Sequence, residues 1–476
     1  MDDVSYTLVR PNTPLVPEII KLSPIDQFSN RVYSPLLLFF KFDAEVLRKA
    51  ICRDLQRGLA NLIKEVPFIA GSVFLEDEET GSLQIEIPED AGVMFKIREM
   101  LDSRKGPVLE FQSLEKAGFS SSLLDPSELG PIHFLPESVA PVLAIQANII
   151  RGGMILACYI HHSTTDGLGL MALCQRWSRH VSAEVASCTI PTSESLPEEI
   201  LDRSVLFPDT STWRSLRDFP GFAKVCKSAP VQDQQPEIRD NHVVRQPPEL
   251  TIAYWYISPR NLRALEQAAK PSDNGGFSFT TSCVLCAFLW QCCMRAKRLE
   301  QHNVKTVSIF MRCSIRRRID PPLHPQFLGN AVVHCRAEIS LAELVASKPG
   351  TLYWIASLVN DCIEWYSSDK IWELLAAMSA TPRFGDIEPI MDDVSETIFK
   401  ITDMSMVPLH SSHWGARMGN VCAMRIPGIF VLDGEAIILP RLPDGGIEFS
   451  THLPVEALNA LKADTEFTRY MQFRCS

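Results

Sequence analysis

The hydrophobic pattern changes period between residues 33 and 67. YSPLLLFFKF (33–42) is apolar almost without a break. DAEVLRKAICRDLQRGLANLIKEVP (43–67) then spaces Val46, Leu47, Ile51, Leu55, Leu59, Leu62 and Ile63 three or four apart. The first run reads as a strand and the second as a helix, with Asp43 placed to cap its start and Pro67 marking its end. FIAGSVFLEDEETGSLQIEIPE (68–89) alternates around EETG and predicts a β-hairpin. A second hairpin follows from PVLAIQANII (141–150) and MILACYIHH (154–162), joined by RGG (151–153). GLGLMALCQRWSRHV (167–181) returns to helical spacing, with Leu170, Leu173, Cys174 and Trp177 on one face.

From about 186 to 250 the pattern gives way to Pro, Ser and acidic residues, a stretch best read as a crossover between domains. A βα pattern opens again at TIAYWYISPRNLRALEQAAK (251–270), followed by a helix over 280–298, a strand at 306–311 and helical spacing near 340–382. NVCAMRIPGIF, EAIILPRL and GIEFSTHL then predict a three-strand meander, turning at LDGE (432–435) and PDGG (443–446). Each half holds strands, helices and an antiparallel hairpin. The expectation is two related α/β domains, 1–205 and 251–476, joined by 206–250.

The 476 residues carry 46 Lys and Arg against 57 Asp and Glu, a net charge of −11. That balance argues against a general nucleic-acid binder while leaving room for one basic pocket. The N-terminus is acidic and broken by prolines, unlike a secretory signal. No apolar run approaches the roughly 18 residues needed to span a bilayer. A soluble cytoplasmic protein with no membrane partner is expected. Of 14 cysteines, Cys283, Cys286, Cys292 and Cys293 lie in an apolar helical run, so they read as reduced core thiols and not as a redox pair.

HHSTTDG (161–167) places two histidines, an aspartate and a glycine where a strand meets a helix. Imidazole is the side chain best suited to taking a proton near neutral pH. Asp166 either orients the histidine or pins the turn through another partner. A His-x-x-x-Asp metal pair would need a third ligand, and none stands nearby in the sequence, so no metal is expected. The plainer reading, two polar residues at a strand end, does not account for the whole pattern.

HHSTTDG resembles the HHxxxDG signature of the BAHD superfamily of acyl-CoA-dependent acyltransferases. That superfamily includes plant hydroxycinnamoyl transferases and fungal trichothecene acetyltransferases, and is distantly related to peptide-synthetase condensation domains. Weaker matches follow in order along nearly the whole chain. They are LSPIDQ (22–27), LIKEVPFIAGSV (62–73), DRSVL (202–206), RRRIDPPLHPQFLGNAV (316–332) and TDMSMVPLHSSHWG (402–415). The last departs from the family's Thr-Ser-Trp…Asp-Phe-Gly-Trp-Gly: Thr402 stays, Asp403 and Met404 replace its neighbours, and only Trp414 and Gly415 remain of the second element. The pattern is closer to fungal secondary-metabolism members than to plant ones.

The resemblance implies two chloramphenicol-acetyltransferase-like α/β domains with a channel between them. It implies an acyl-CoA co-substrate, an acetyl donor in the simplest case, and a small hydroxylated acceptor. No permanently bound cofactor and a monomeric enzyme go with it. His162 is implied as the general base and Asp166 as its support, paired with Arg316 in preference to Arg312. Gly167 is implied to leave room for pantetheine or to supply a positive φ. Thr402 or the Trp414 indole is implied as oxyanion donor, with plain packing the other reading of Trp414. Thr281, Ser282 and Arg317 are the implied contacts to CoA, with the basic tract Arg295, Lys297 and Arg298 a further candidate. N-acylation, a carrier-protein thioester donor and a non-catalytic binding scaffold are the alternatives.

Overall fold

The computed structural model describes residues 4–101, 108–186, 196–209, 214–224, 248–270, 279–384, 387–389, 396–428 and 431–476. The crossover expected over 206–250 lies in large part outside them. Two mixed sheets dominate. One has six strands in the spatial order Val4–Val9, Val93–Glu99, Leu143–Ile150, Gly153–His161, Tyr33–Lys41 and Ala423–Arg425. The other has seven, in the order Val332–Ser340, Thr306–Ser314, Ile398–Asp403, Glu435–Ile438, Ile447–Pro454, Leu250–Ile257 and Met471–Cys475.

The apolar run of strand Tyr33–Lys41 has a direct cause. Leu36, Leu38 and Phe40 enter one core, while Tyr33, Leu37 and Phe39 enter another on the opposite face. A strand covered on both sides keeps its middle residues, 36–40, apolar on either face. The first of these cores is filled by helices Ala44–Glu65 and Gly167–Ala186, which place Leu55, Leu59, Leu170 and Trp177 against it. The Asp43 carboxylate accepts from the Val46 amide at the start of the first helix, as a cap should. The Trp177 indole donates to the Leu55 carbonyl at 3.0 Å, fixing one helix against the other.

In the second half, helix Thr281–Ala296 is buried on nearly every side, and Cys283, Cys286, Cys292 and Cys293 pack within it. Every cysteine among the described residues is a free thiol. No helix among the described residues is long and apolar enough to cross a membrane.

One expectation fails. Residues 420–453 do not form a three-strand meander. Glu435–Ile438 and Ile447–Pro454 pair as an antiparallel hairpin turning at Gly445, but Ala423–Arg425 leaves for the other sheet and pairs antiparallel with Leu37–Phe39. The run is short and apolar enough to suit either edge. Arg425 decides the matter: its guanidinium is 1 % exposed and donates to the carbonyls of Gly118 and Phe119, at 2.7 and 3.1 Å, under that sheet. Beyond the hairpin, two short helices lead into a final strand, Met471–Cys475.

Candidate active site

Strand Gly153–His161 ends at the first histidine of HHSTTDG, and helix Gly167–Ala186 begins at its glycine. The two histidines part company at this junction. His161 is buried, accepts from the Ser163 amide at 3.3 Å and meets the Tyr33 ring edge-on. His162 borders a cavity of about 290 Å³. Its amide donates to the Val32 carbonyl at 2.8 Å, and its own carbonyl accepts from Asn330 Nδ2 at 2.9 Å. His162 Nδ1 is buried without a hydrogen-bond partner among the described residues. Burial, then the Arg312 charge, lowers the His162 pKa to about 4, against the pull of its own carbonyl and of Asp166 and Asp26.

Asp166 is almost fully used by protein groups. Arg316 grips it with two bonds, Nη1 to Oδ2 at 2.8 Å and Nη2 to Oδ1 at 2.9 Å. The amides of Gly169 and Ala331 add 2.9 and 3.0 Å contacts. Burial raises the Asp166 pKa, but the Arg316 charge and these donors outweigh it and hold the carboxyl below its ordinary range. The bidentate pair is nearly dry, with both side chains 4 % exposed. Arg316 is therefore the arginine that meets Asp166, and Arg312 lines the cavity instead.

Three of the short sequence matches converge beneath this loop. Asp26 of LSPIDQ is fully buried; it caps its own short helix with Ser23 and accepts from the Asn330 amide and Nδ2 at 2.9 and 2.8 Å. Arg203 of DRSVL donates to Asp26 at 2.6 Å and to the Thr164 carbonyl at 2.6 Å. Asp26, Arg203 and Asn330 thus position the loop that carries His162. The sequence matches named their segments without giving them this task. Gly169 was also missed: a Cβ there would collide with Thr165 Oγ1, so the helix start closes onto the loop.

The remaining candidates are scattered. Gly167 borders the cavity but has no positive φ, so only the space reading stands; a Cβ would meet nothing nearer than Met404 Sδ at 3.7 Å. Thr402 lines the cavity from strand Ile398–Asp403. Trp414 does not. It is 0 % exposed, wedged edge-on between Phe40 and Trp177 at 5.4 and 5.2 Å, with its indole nitrogen buried and unpartnered among the described residues. Its packing role excludes it as an oxyanion donor.

Ser282 donates to Asp403, which borders the cavity, whereas Thr281 donates to Glu266 on a neighbouring helix at 2.5 Å. Arg317 is exposed and is not among the cavity residues. Arg295 pairs with Asp464, and Lys297 is 3 % exposed and pairs with Asp433, so the basic tract is largely spent on the fold.

The cavity has two unlike walls. Val32, Leu36, Leu168, Met171 and Met424 give it an apolar side. The seven-stranded sheet gives Arg312, Ser314, Thr402, Glu435 and His452. Glu435 lies opposite Lys400 on one neighbouring strand and His452 on the other. Burial raises the Glu435 pKa, but His452 at 3.2 Å, with Arg312 and Lys400, holds its carboxyl below the usual range. No local pattern in the sequence could announce this row, because its members meet only across strands. Among the described residues, no three His, Cys, Asp or Glu side chains gather as metal ligands.

The model of the Transferase family matches residues 3–468. Acyltransferase easC of Emericella nidulans is 27% identical to this chain, covering 98% of it and 98% of its own length. Trichothecene 3-O-acetyltransferase TRI101 of Fusarium sporotrichioides is 24% identical, over 93% of this chain and 94% of its own. The crystal structure of F. graminearum TRI101 complexed with coenzyme A and T-2 mycotoxin has the same fold. It superposes with a TM-score of 0.81 at 20% identity, over 96% of this chain and 100% of that one.

Proposed function

The chain belongs to the Transferase family, and from that premise we propose that it is an O-acyltransferase moving an acyl group from acyl-CoA to a hydroxyl of a secondary metabolite. Acetyl is the group we assign, and His162 is the general base. The observation that carries this reading is a half-buried imidazole, its pKa lowered so that it stays neutral, at the edge of a cavity walled by both halves of the chain. A neutral ring is the form that can accept a proton. Nδ1 is buried and unpartnered among the described residues, so Nε2 is the nitrogen we assign to take the proton.

The acceptor oxygen attacks the thioester carbonyl as His162 takes the hydroxyl proton. When the tetrahedral intermediate collapses, the carbon–sulfur bond breaks and the imidazolium returns the proton to the thiolate, releasing CoA. Asp166, fully engaged by Arg316 and two amides, holds the loop and does not relay the proton. We keep the division into an N-terminal domain 1–205, a crossover 206–250 and a C-terminal domain 251–476, with Ala423–Arg425 lent back to the first sheet. The reading also places the enzyme in the cytoplasm as a monomer.

The test is incubation with acetyl-CoA and a panel of hydroxylated terpenoids, alkaloids and polyketides, read by mass spectrometry beside the His162→Ala variant. An ester should form with at least one alcohol, and the variant should be slower by about 100-fold or more while keeping its melting temperature. No ester with any alcohol, or a variant with more than half the activity, contradicts the reading.

A further inference from the structure

Beside the main cavity lies a second space of about 20 Å³, bordered by Phe28, Phe222 and His334 among others. Four residues border both spaces: Asn30, His162, Arg312 and Val332. They form the boundary that the two spaces share. Among these four, His162 is the proposed base and Arg312 is a permanent cation, so a reacting group held against this boundary has both at hand.

Arg312 is placed there by the sheet. Strands Thr306–Ser314 and Ile398–Asp403 run parallel with Met311 opposite Ile401. The next residue on each strand, Arg312 and Thr402, lines the cavity. Arg312 is not a free side chain. Its charge acts on Glu435, a carboxylate in the same wall, so a cation otherwise costly to bury has a counter-charge. It also acts on His162, which borders both spaces, and on His334, which borders the smaller one. Trp414 is buried elsewhere and Arg316 is spent on Asp166, which leaves no other arginine or lysine bordering the main cavity among the described residues, and His452 there is taken up by Glu435.

We propose that Arg312 is a further catalytic residue: its guanidinium, with the Thr402 hydroxyl beside it, stabilises the negative charge that develops on the thioester oxygen. This rests on the acyl-transfer reading above. As the acceptor oxygen bonds to the carbonyl carbon, the carbon–oxygen π pair moves onto the carbonyl oxygen while His162 holds the acceptor's proton. The pair returns as the bond to sulfur breaks, and CoA leaves with that proton. A fixed cation held beside the reacting carbonyl favours the charged intermediate over the neutral thioester, which is the differential binding that catalysis requires.

The test compares Arg312→Met, Arg312→Gln and Arg312→Lys with wild type and His162→Ala. The probe is acetyl-CoA with the panel alcohol that reacts fastest, or with water as acceptor where slow hydrolysis is the only turnover. Loss of the cation should lower kcat by about 100-fold with KM for both substrates within about threefold, and Lys should recover at least about tenfold over Gln. The acid limb of the rate profile should also move up in Gln. The charged or titratable groups acting on His162 are Arg312, Asp166, Asp26, His161 and His334, and only one of the cationic influences has been removed.

Should Arg312→Met fail to fold, the Gln and Lys pair reads the same effect. A kcat within twofold of wild type, a loss confined to KM, or Lys no better than Gln would overturn the assignment of Arg312. If His162→Ala is inactive in that same experiment, the base stands without its partner. If both variants stay active, the acyl-transfer mechanism itself falls.

Discussion

At the scale of single residues, the proposed chemistry rests on an imidazole that stays neutral. His161 and His162 are both lowered to about 4, chiefly by burial, and His334 to about 3 for the same reason. The sign follows from the direction. A histidine whose folded pKa lies below its unfolded value of about 6.5 contributes its full stability above pH 6.5, and that contribution drains away as pH falls toward 4. For catalysis the same shift extends the working range downward. At pH 5.5 the kcat/KM of wild type should remain within about twofold of its plateau, whereas a base of ordinary pKa would already have lost about tenfold. A half-point near 6.5 in the rate profile would show that the base is more open to water than His162 is. HHSTTDG made this residue legible, because a base, a carboxylate and a turn glycine lie within seven consecutive positions. Arg312, Glu435 and His452 were not legible as a group. They lie on different strands and acquire a common environment only when those strands pair.

At the scale of elements, a strand end and a helix start are fixed by parts of the chain far away in sequence. Arg203, Asn330 and Arg316 each donate into the 161–166 loop or to its support, so the loop's shape depends on the second half of the chain as much as the first. Asp166→Asn should therefore act through folding as well as rate, since it leaves the Arg316 guanidinium buried without its anion, a loss of about 3 kcal/mol. Adding Arg316→Gln should restore part of that stability, giving a coupling above about 1 kcal/mol in urea unfolding. Strictly additive losses would mean that the two side chains do not depend on each other. Periodicity found the elements themselves well: both hairpins, helix Ala44–Glu65 and helix Gly167–Ala186 follow directly from spacing. It failed at Ala423–Arg425, because three apolar-flanked residues carry no information about which sheet edge they will extend. The carbonyls of Gly118 and Phe119, about three hundred positions earlier, supply that information through Arg425.

At the scale of the whole molecule, neither half closes the cavity alone. Tyr33, Leu36 and His162 come from the first sheet and its loops; Arg312, Thr402 and His452 come from the second. Arg425 links the two, since it sits on the first sheet, pairs with Glu448 of the second at 3.0 Å and lies over Tyr254 at 4.2 Å. A site built between halves suits a reaction in which donor and acceptor meet face to face. Among the described residues no cysteine borders the cavity, so no thiol there is poised to hold the acyl group in between. Direct transfer requires both substrates to be bound together. Initial rates measured against acetyl-CoA at several fixed acceptor concentrations should therefore give intersecting double-reciprocal lines. Parallel lines, or an acyl group that stays on the protein through denaturation, would signal a covalent intermediate. Either result would require a nucleophile at the cavity, with Ser34 and Ser314 the first side chains to replace. Intersecting lines, together with full activity in Ser34→Ala and Ser314→Ala, would leave His162 to handle the proton and the cavity it borders as the place where the acyl group changes hands.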